Sequence, residues 1–199
     1  MTIRHLFVTN LYEAQIADPD LLDELGHSIR TLSIDDRAGV GWSRDHEYPG
    51  YTSYASLDDL PRRDPAIGDL AKLLAKHAAA FARDCSFDLA RKPRLDSLWV
   101  NLLKGSGHHS AHIHPHSIIS GSFYVEAPPG SGAIRFEDPR LAMMMAAPQR
   151  LPDAPEALRS FVTIEPAPGM LLLWESFVRH EVLPGKGKAE RLSISFNFA

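Results

Sequence analysis

A single cysteine, Cys85, stands in a chain of 199 residues. One thiol cannot close an intrachain disulfide, nor can it build the Cys-rich tetrahedral sites of structural zinc. Long apolar runs are also missing: the strongest, MLLLW at 170–174, has the length of a strand and not of a bilayer span. The N-terminal MTIRHLFVTN lacks the apolar core and small-residue cleavage site of a signal peptide, so a reducing cytoplasm is the expected location. Neither sign of charge dominates. The 21 Lys and Arg against 25 Asp and Glu give a net charge of −4 with the basic residues dispersed, which argues against nucleic acid as a partner. Hydrophobic content of 44% and charged content of 23% are ordinary for a globular protein and exclude disordered and fibrous classes.

What is present reads as one domain, residues 1–199, in two textures. Residues 1–90 are mixed and partly helical. Leu21, Leu22, Leu25 and Ile29 recur at helical spacing after Asp18-Pro19 and predict a helix near 19–31. Ile67, Leu70, Leu73, Leu74, Ala78 and Phe81 form a second apolar stripe, from Asp64-Pro65 to Arg83. GWSRDHEYPGYTSYAS between them is aromatic and loop-like. Residues 91–199 change character: LDSLWVNLL, SIISGSFYVEA, GAIRFED, FVTIEP, GMLLLWE, HEVLP and RLSISFNF are short β-rich runs separated by turn residues. Seven or eight consecutive strands without intervening helices predict a mainly β, α+β fold: an antiparallel jelly roll with the N-terminal helices packed on one side. Residues 139–160 interrupt the strand rhythm as an excursion that could serve as a lid, and Met143, Met144 and Met145 within it are expected to pack as core or helix. Exposed strand edges and helices leave a homodimer open.

Five of the ten histidines, His108, His109, His112, His114 and His116, fall in GHHSAHIHPHS. Neutral imidazole is a common ligand for transition metals, and alternate residues of an extended segment share a side, so His112 and His114 can reach one ion. His114 and His116 have the same spacing, which keeps His116 in reserve, while His108 and His109 read as rim residues. The third ligand must come from another segment. His180, in FVRHEVLP, is the only histidine of the C-terminal β region, and His112, His114 and His180 are the nominated set. Without paired cysteines the site reads as open and catalytic rather than structural.

The last strand supplies a second anchor. In RLSISFNF, Leu192, Ile194, Phe196 and Phe198 fall on one face, and Arg191, Ser193, Ser195 and Asn197 on the other. With helices covering the outside, the polar row would look inward, where a guanidinium needs an anionic partner and binds a carboxylate with two parallel hydrogen bonds. Trp99 and Trp174 are expected to shape the wall.

On these residues, AHIHPHS, SGSFYVEAP, IRFEDPR, PAPG before LLLWES, VRHEV and RLSISFN, the chain resembles a bacterial group of 2-oxoglutarate- and Fe(II)-dependent oxygenases. GYTSYASLDDL extends the likeness to roughly residues 40–198. The resemblance implies a double-stranded β-helix, a jelly-roll variant, and an HxD/E…His iron triad followed by an RxS-like pattern, matched by Arg191-Leu192-Ser193. It also implies Fe(II) and 2-oxoglutarate as cofactors. In this reading Arg191 and Ser193 hold the distal carboxylate of 2-oxoglutarate, Asn101 and Tyr124 add hydrogen bonds, and a small-molecule or peptide substrate is hydroxylated. The chain departs from the pattern at His114, which stands where the carboxylate ligand belongs; Glu137 or Asp138 could coordinate instead, although Asp-Pro after a strand is commonly turn chemistry. Two other readings stay open. One is a cupin-like three-His metalloenzyme without 2-oxoglutarate, such as a thiol dioxygenase or isomerase; the other is a non-catalytic module binding a metal and a small acid.

Overall fold

Two Asp-Pro pairs start the two long helices. In the computed structural model, which describes residues 2–199, Asp18 accepts the Leu21 amide at 3.2 Å and caps α1, Pro19–Asp35. Asp64 likewise accepts the Ile67 amide at 3.1 Å and caps α4, Pro65–Asp84. Such caps satisfy an amide with no partner in the first turn, and proline already has the required φ. α1 runs a turn beyond the expected end and buries Leu21, Leu25 and Ile29, while α4 buries Ile67, Leu70, Leu74, Ala78 and Phe81.

The segment expected to be a loop is more ordered. It contains α2, Arg37–Asp45, then the short strand β2, Gly50–Thr52, and a single helical turn α3, Leu60–Arg63. Its glycines and polar residues hid a helix that depends on its cap: the Asp36 carboxylate accepts the Gly39 amide at 3.0 Å and the hydroxyls of Tyr51 at 2.9 Å and Ser56 at 2.5 Å. A further unexpected strand, β1, Leu11–Gln15, precedes α1.

The β region has eight strands: β3 Leu95–Leu103, β4 His109–His112, β5 Ile119–Glu126, β6 Ile134–Glu137, β7 Phe161–Ile164, β8 Met170–Glu175, β9 His180–Val182 and β10 Arg191–Phe198. They form two antiparallel sheets, one of six strands ordered β1-β8-β5-β10-β3-β2 and one of four ordered β4-β9-β6-β7. This is the double-stranded β-helix architecture with helices packed on the larger sheet.

β10 is a central strand, paired with β3 on one side and β5 on the other. Its Leu192, Ile194, Phe196 and Phe198 join Val100, Phe123, Val125, Leu171 and Leu173 in one core with the apolar faces of α1 and α4. Each such side chain contributes roughly 1.5–3 kcal/mol when fully buried. Opposite Phe196 lies Gly121, where a Cβ would come within 2.4 Å of the Phe196 ring, so the strand needs glycine there. Between the sheets, Tyr124, Ile134, Phe136, Leu172, Trp174 and Val178 form a smaller second core.

The excursion 139–160 contains two short 3₁₀ turns, Leu141–Met143 and Glu156–Leu158. The core expectation is corrected for Met143 and Met145, which are 74% and 95% exposed because the segment runs over the surface; Met144 is half-buried. It lines, with the N-terminal segment, a cavity of about 560 Å³ distinct from the one lined by His112, His114 and His180, the two sharing only Trp174. Among the described residues, no helix is long and apolar enough to cross a membrane.

The Asp36 cluster makes a testable stability element. Burial raises the Asp36 carboxyl, but the Ser56, Gly39 and Tyr51 hydrogen bonds outweigh it and hold the group below the ordinary carboxylate value. Asp36→Ala should cost about 1–3 kcal/mol in urea unfolding, from the lost cap and the unpaired Tyr51 hydroxyl, Ser56 keeping the Ser53 carbonyl as acceptor. A depressed carboxyl stabilises the fold fully above its unfolded pKa, about 3.9, and progressively less as pH falls through the folded value. The gap between wild type and variant should therefore be constant at neutral pH and narrow below about pH 4; a gap unchanged at acid pH would contradict the assignment.

Candidate metal centre

His112 ends β4 and His180 begins β9, and the two residues face each other directly in the register of the smaller sheet. His114 lies just beyond β4, held by its amide donating to the Ser176 carbonyl at 3.1 Å. One nitrogen of each of the three rings lies within 4.8 Å of the others, the only such grouping of His, Cys, Asp or Glu among the described residues. The rings of His114 and His180 are nearly parallel, with interplanar angle 8° and Nε2 atoms 3.3 Å apart. The nominated set is thus brought together as expected.

The rings are neutral, as ligands must be. Burial, followed by neighbouring imidazoles, pushes His180 down to about 3 and His114 down to about 4. His112 is lowered too, by burial, partly offset by its bond to the Ser110 carbonyl. Carbonyls then set the tautomers. His180 Nδ1 faces the Val178 carbonyl at 3.0 Å and His112 Nδ1 the Ser110 carbonyl at 2.8 Å, so each carries its proton there and leaves Nε2 as a lone pair. Two neutral imidazole nitrogens at 3.3 Å require a proton or a cation between them. Three converging imidazole nitrogens, two of them held as lone pairs by carbonyls and the third at 3.3 Å from one of these, fit a divalent transition metal with room for further ligands.

Aromatic rings hold the set in place. Trp99 stacks on His114 at 5.9 Å, Trp174 meets His180 edge-on at 4.6 Å, and Phe136 lies 6.1 Å from His180. The Trp174 indole nitrogen is buried without a partner.

The histidines open into a cavity of about 660 Å³ lined by the inward face of β10: Arg191, Ser193, Ser195 and Asn197. Most of this polar surface is already satisfied by the protein. Asn197 accepts from Ser120 at 2.8 Å and donates to Ser97 at 3.0 Å. Asn101 accepts from Thr52 at 2.9 Å and Tyr48 at 3.3 Å and donates to Ser195 at 3.1 Å. Asn101 therefore lines the cavity as a braced group. Arg191 is the exception. It is only 6% exposed, donates through one terminal nitrogen to the Gly132 carbonyl at 2.7 Å, lies over the Tyr124 ring at 5.6 Å, and leaves Nε unpartnered. It makes no ion pair among the described residues. A buried guanidinium without a counter-charge is costly unless an anion completes it. Tyr124 is buried beside it, and burial raises the phenol, which keeps it a neutral donor or acceptor.

The alternative carboxylates do not join the cluster. Asp138 holds Arg140 through both oxygens, at 2.8 and 3.0 Å, and Glu137 faces Arg179 at 3.4 Å. His116 and His108 are exposed and outside the grouping. His109, expected only at the rim, lines the cavity, its ring 4.4 Å from His112 and 6.3 Å from Tyr48. Strict alternation would point residues 109 and 112 to opposite sides; an irregularity in pairing between them restores a common side. Tyr48 and Thr52 were also missed as site residues, because their contribution depends on β2 pairing with β3.

Residues 97–197, which include every histidine of the cluster and Arg191, match the family model described as "Putative 2OG-Fe(II) oxygenase". The chain belongs to this family of 2-oxoglutarate- and Fe(II)-dependent oxygenases. No curated protein matches it by sequence. Among solved structures it is similar to a prolyl-4-hydroxylase from Pseudomonas putida, with 18% identity over 96% of this chain and 92% of that one and a TM-score of 0.60. It is also similar to the non-haem α-ketoglutarate-dependent epimerase SnoN from nogalamycin biosynthesis, with 17% identity, 96% and 78% coverage and a TM-score of 0.65. A third likeness is to HygX from Streptomyces hygroscopicus with nickel and 2-oxoglutarate bound, with 13% identity, 96% and 82% coverage and a TM-score of 0.62. At these identities the solved structures speak for the fold.

Metal titration tests the donor set. Co(II) should bind one per chain with a visible ligand-field spectrum, and His180→Ala should weaken it by more than about 100-fold, beyond the effect of losing an outer-shell partner. His116→Ala should leave it unchanged; the reverse pattern would overturn the nominated ligands.

Proposed function

We propose that the chain oxidises an unactivated C–H bond of a small molecule or peptide side chain, using Fe(II) held by His112, His114 and His180 and 2-oxoglutarate held by Arg191. The observation that carries this reading is the buried, uncompensated Arg191 in the same cavity as three neutral, converging imidazoles. Bound Fe(II) would supply the dioxygen chemistry that couples decarboxylation of 2-oxoglutarate to substrate oxidation.

The charges of such a complex balance. Three neutral imidazoles leave the metal's two positive charges unopposed, and Arg191 adds a third; a dianionic cosubstrate offsets most of this within a cavity that exposes one carboxylate, Asp96. Arg191 presents its free guanidinium nitrogens to the distal carboxylate, a charge-assisted contact stronger than one between neutral groups. Gly132 fixes the guanidinium from the other side, and Tyr124 and Ser193 flank it as neutral hydroxyls. Asn101, Ser195, Asn197 and Ser120 form a braced wall whose hydrogen bonds need no rearrangement when a ligand enters. Val178 and Ser110 hold the imidazole tautomers, and Trp99 and Trp174 keep the ring planes fixed and exclude water from the inner cavity.

Arg191→Met separates binding from stability. Removing a buried lone cation in favour of an apolar side chain of similar length should leave urea stability equal or higher. Calorimetry should nevertheless show 2-oxoglutarate affinity reduced about 100-fold or more. A variant that binds 2-oxoglutarate like wild type would end this reading, and the cupin-like alternative would take its place.

A further inference from the structure

The histidine cavity, about 660 Å³, holds more than a five-carbon diacid would fill, and part of its wall is aromatic. Three separate elements build that wall: Trp42 from α2, Tyr54 just after β2 and Trp99 from β3. Their rings form one chain from solvent to a metal-facing imidazole. Trp42 and Tyr54 are 6.1 Å apart, Tyr54 meets Trp99 edge-on at 5.3 Å, and Trp99 stacks on His114 at 5.9 Å. Trp42 is held in turn by stacking on His46 at 4.1 Å.

Tyr54 is 62% exposed and joins the half-buried Trp42 and Trp99 in one contiguous aromatic patch at the edge of the cavity. The charge distribution selects among ligands. Asp96 is the only acidic side chain lining the cavity, and it makes no ion pair among the described residues. Arg191 is the only Lys or Arg there, and it sits at the inner end.

We infer that the mouth is a subsite for an organic cation, a substrate carrying a quaternary or protonated amine beside the carbon to be oxidised. Ring faces are negative and attract such a group when it lies within about 6 Å, with tryptophan the strongest. Asp96 adds attraction of the same sign. An anionic substrate would meet repulsion from both and would compete with the cosubstrate for Arg191. The inference rests on the cavity being the active site proposed above.

The test uses the full chain with Zn(II) as an inert metal, with and without 2-oxoglutarate, followed through the indole N–H resonances of Trp42 and Trp99. The probes are choline, its neutral isostere 3,3-dimethylbutan-1-ol, and methyl glucoside. Choline should shift both resonances and bind about tenfold more tightly than the isostere. Asp96→Asn and Tyr54→Leu, both at exposed positions, should each remove most of that preference without loss of fold. Equal or tighter binding of the isostere, a response to methyl glucoside alone, or an unchanged preference in both variants would overturn the inference. Calorimetry on the same samples separates the two claims: if 2-oxoglutarate does not bind but the choline preference holds, the cosubstrate reading fails and the cation subsite stands. If 2-oxoglutarate binds normally and no preference exists, the subsite alone fails.

Discussion

The alternation of β10 is the constraint on which the molecule depends. The strand is paired on both edges, so it cannot slip by one residue without sending Phe196 and Phe198 into the cavity and Arg191 into the helix-covered core. The outward face, packed on α1 and α4, locks the register; the inward face thereby places Arg191, Ser193, Ser195 and Asn197 in the cavity. Fold stability and site geometry are thus two faces of one strand. The cost is concentrated at Arg191, whose charge is buried before any ligand arrives. Active sites commonly hold such locally unfavourable groups, and the apolar core around this strand is extensive enough to keep one in place.

A second pairing does the equivalent work for the histidines. His112 and His180 face each other across the smaller sheet, and Ser176 holds His114 beside them. Backbone carbonyls set the tautomers of His112 and His180 before a metal is present, and the Ser176 carbonyl fixes the main chain at His114, whose ring nitrogen faces that of His180. Rigid placement of this kind is what a metal centre needs if it is to keep positions open for other ligands.

Much of this was legible in the residues. The strands and the two long helices followed from apolar periodicity and from Asp-Pro starts, and the inward row of β10 followed from strict alternation. His112, His114 and His180 were readable because alternate spacing and a distant partner are local patterns. What escaped reading depends on long-range pairing. α2 has weak helix formers and relies on a cap that Tyr51 and Ser56 share, and Tyr48 and Thr52 reach Asn101 only because β2 adds to the edge of β3. His109 reads as a rim residue because the pairing irregularity that brings it to the cavity side leaves no local signature. Met143 and Met145 read as core because composition carries no record of whether a loop finds a surface to bury them.

The central claim is that three neutral histidines and one buried arginine form a single site for metal and diacid. A crystal structure of the protein with Fe(II) and 2-oxoglutarate under anaerobic conditions tests it most directly. The account predicts one iron on His112, His114 and His180, with no carboxylate side chain in its coordination shell and the distal carboxylate of 2-oxoglutarate on Arg191. Iron bound by Glu137 or Asp138, or a fully metallated site with 2-oxoglutarate absent from Arg191, would contradict it.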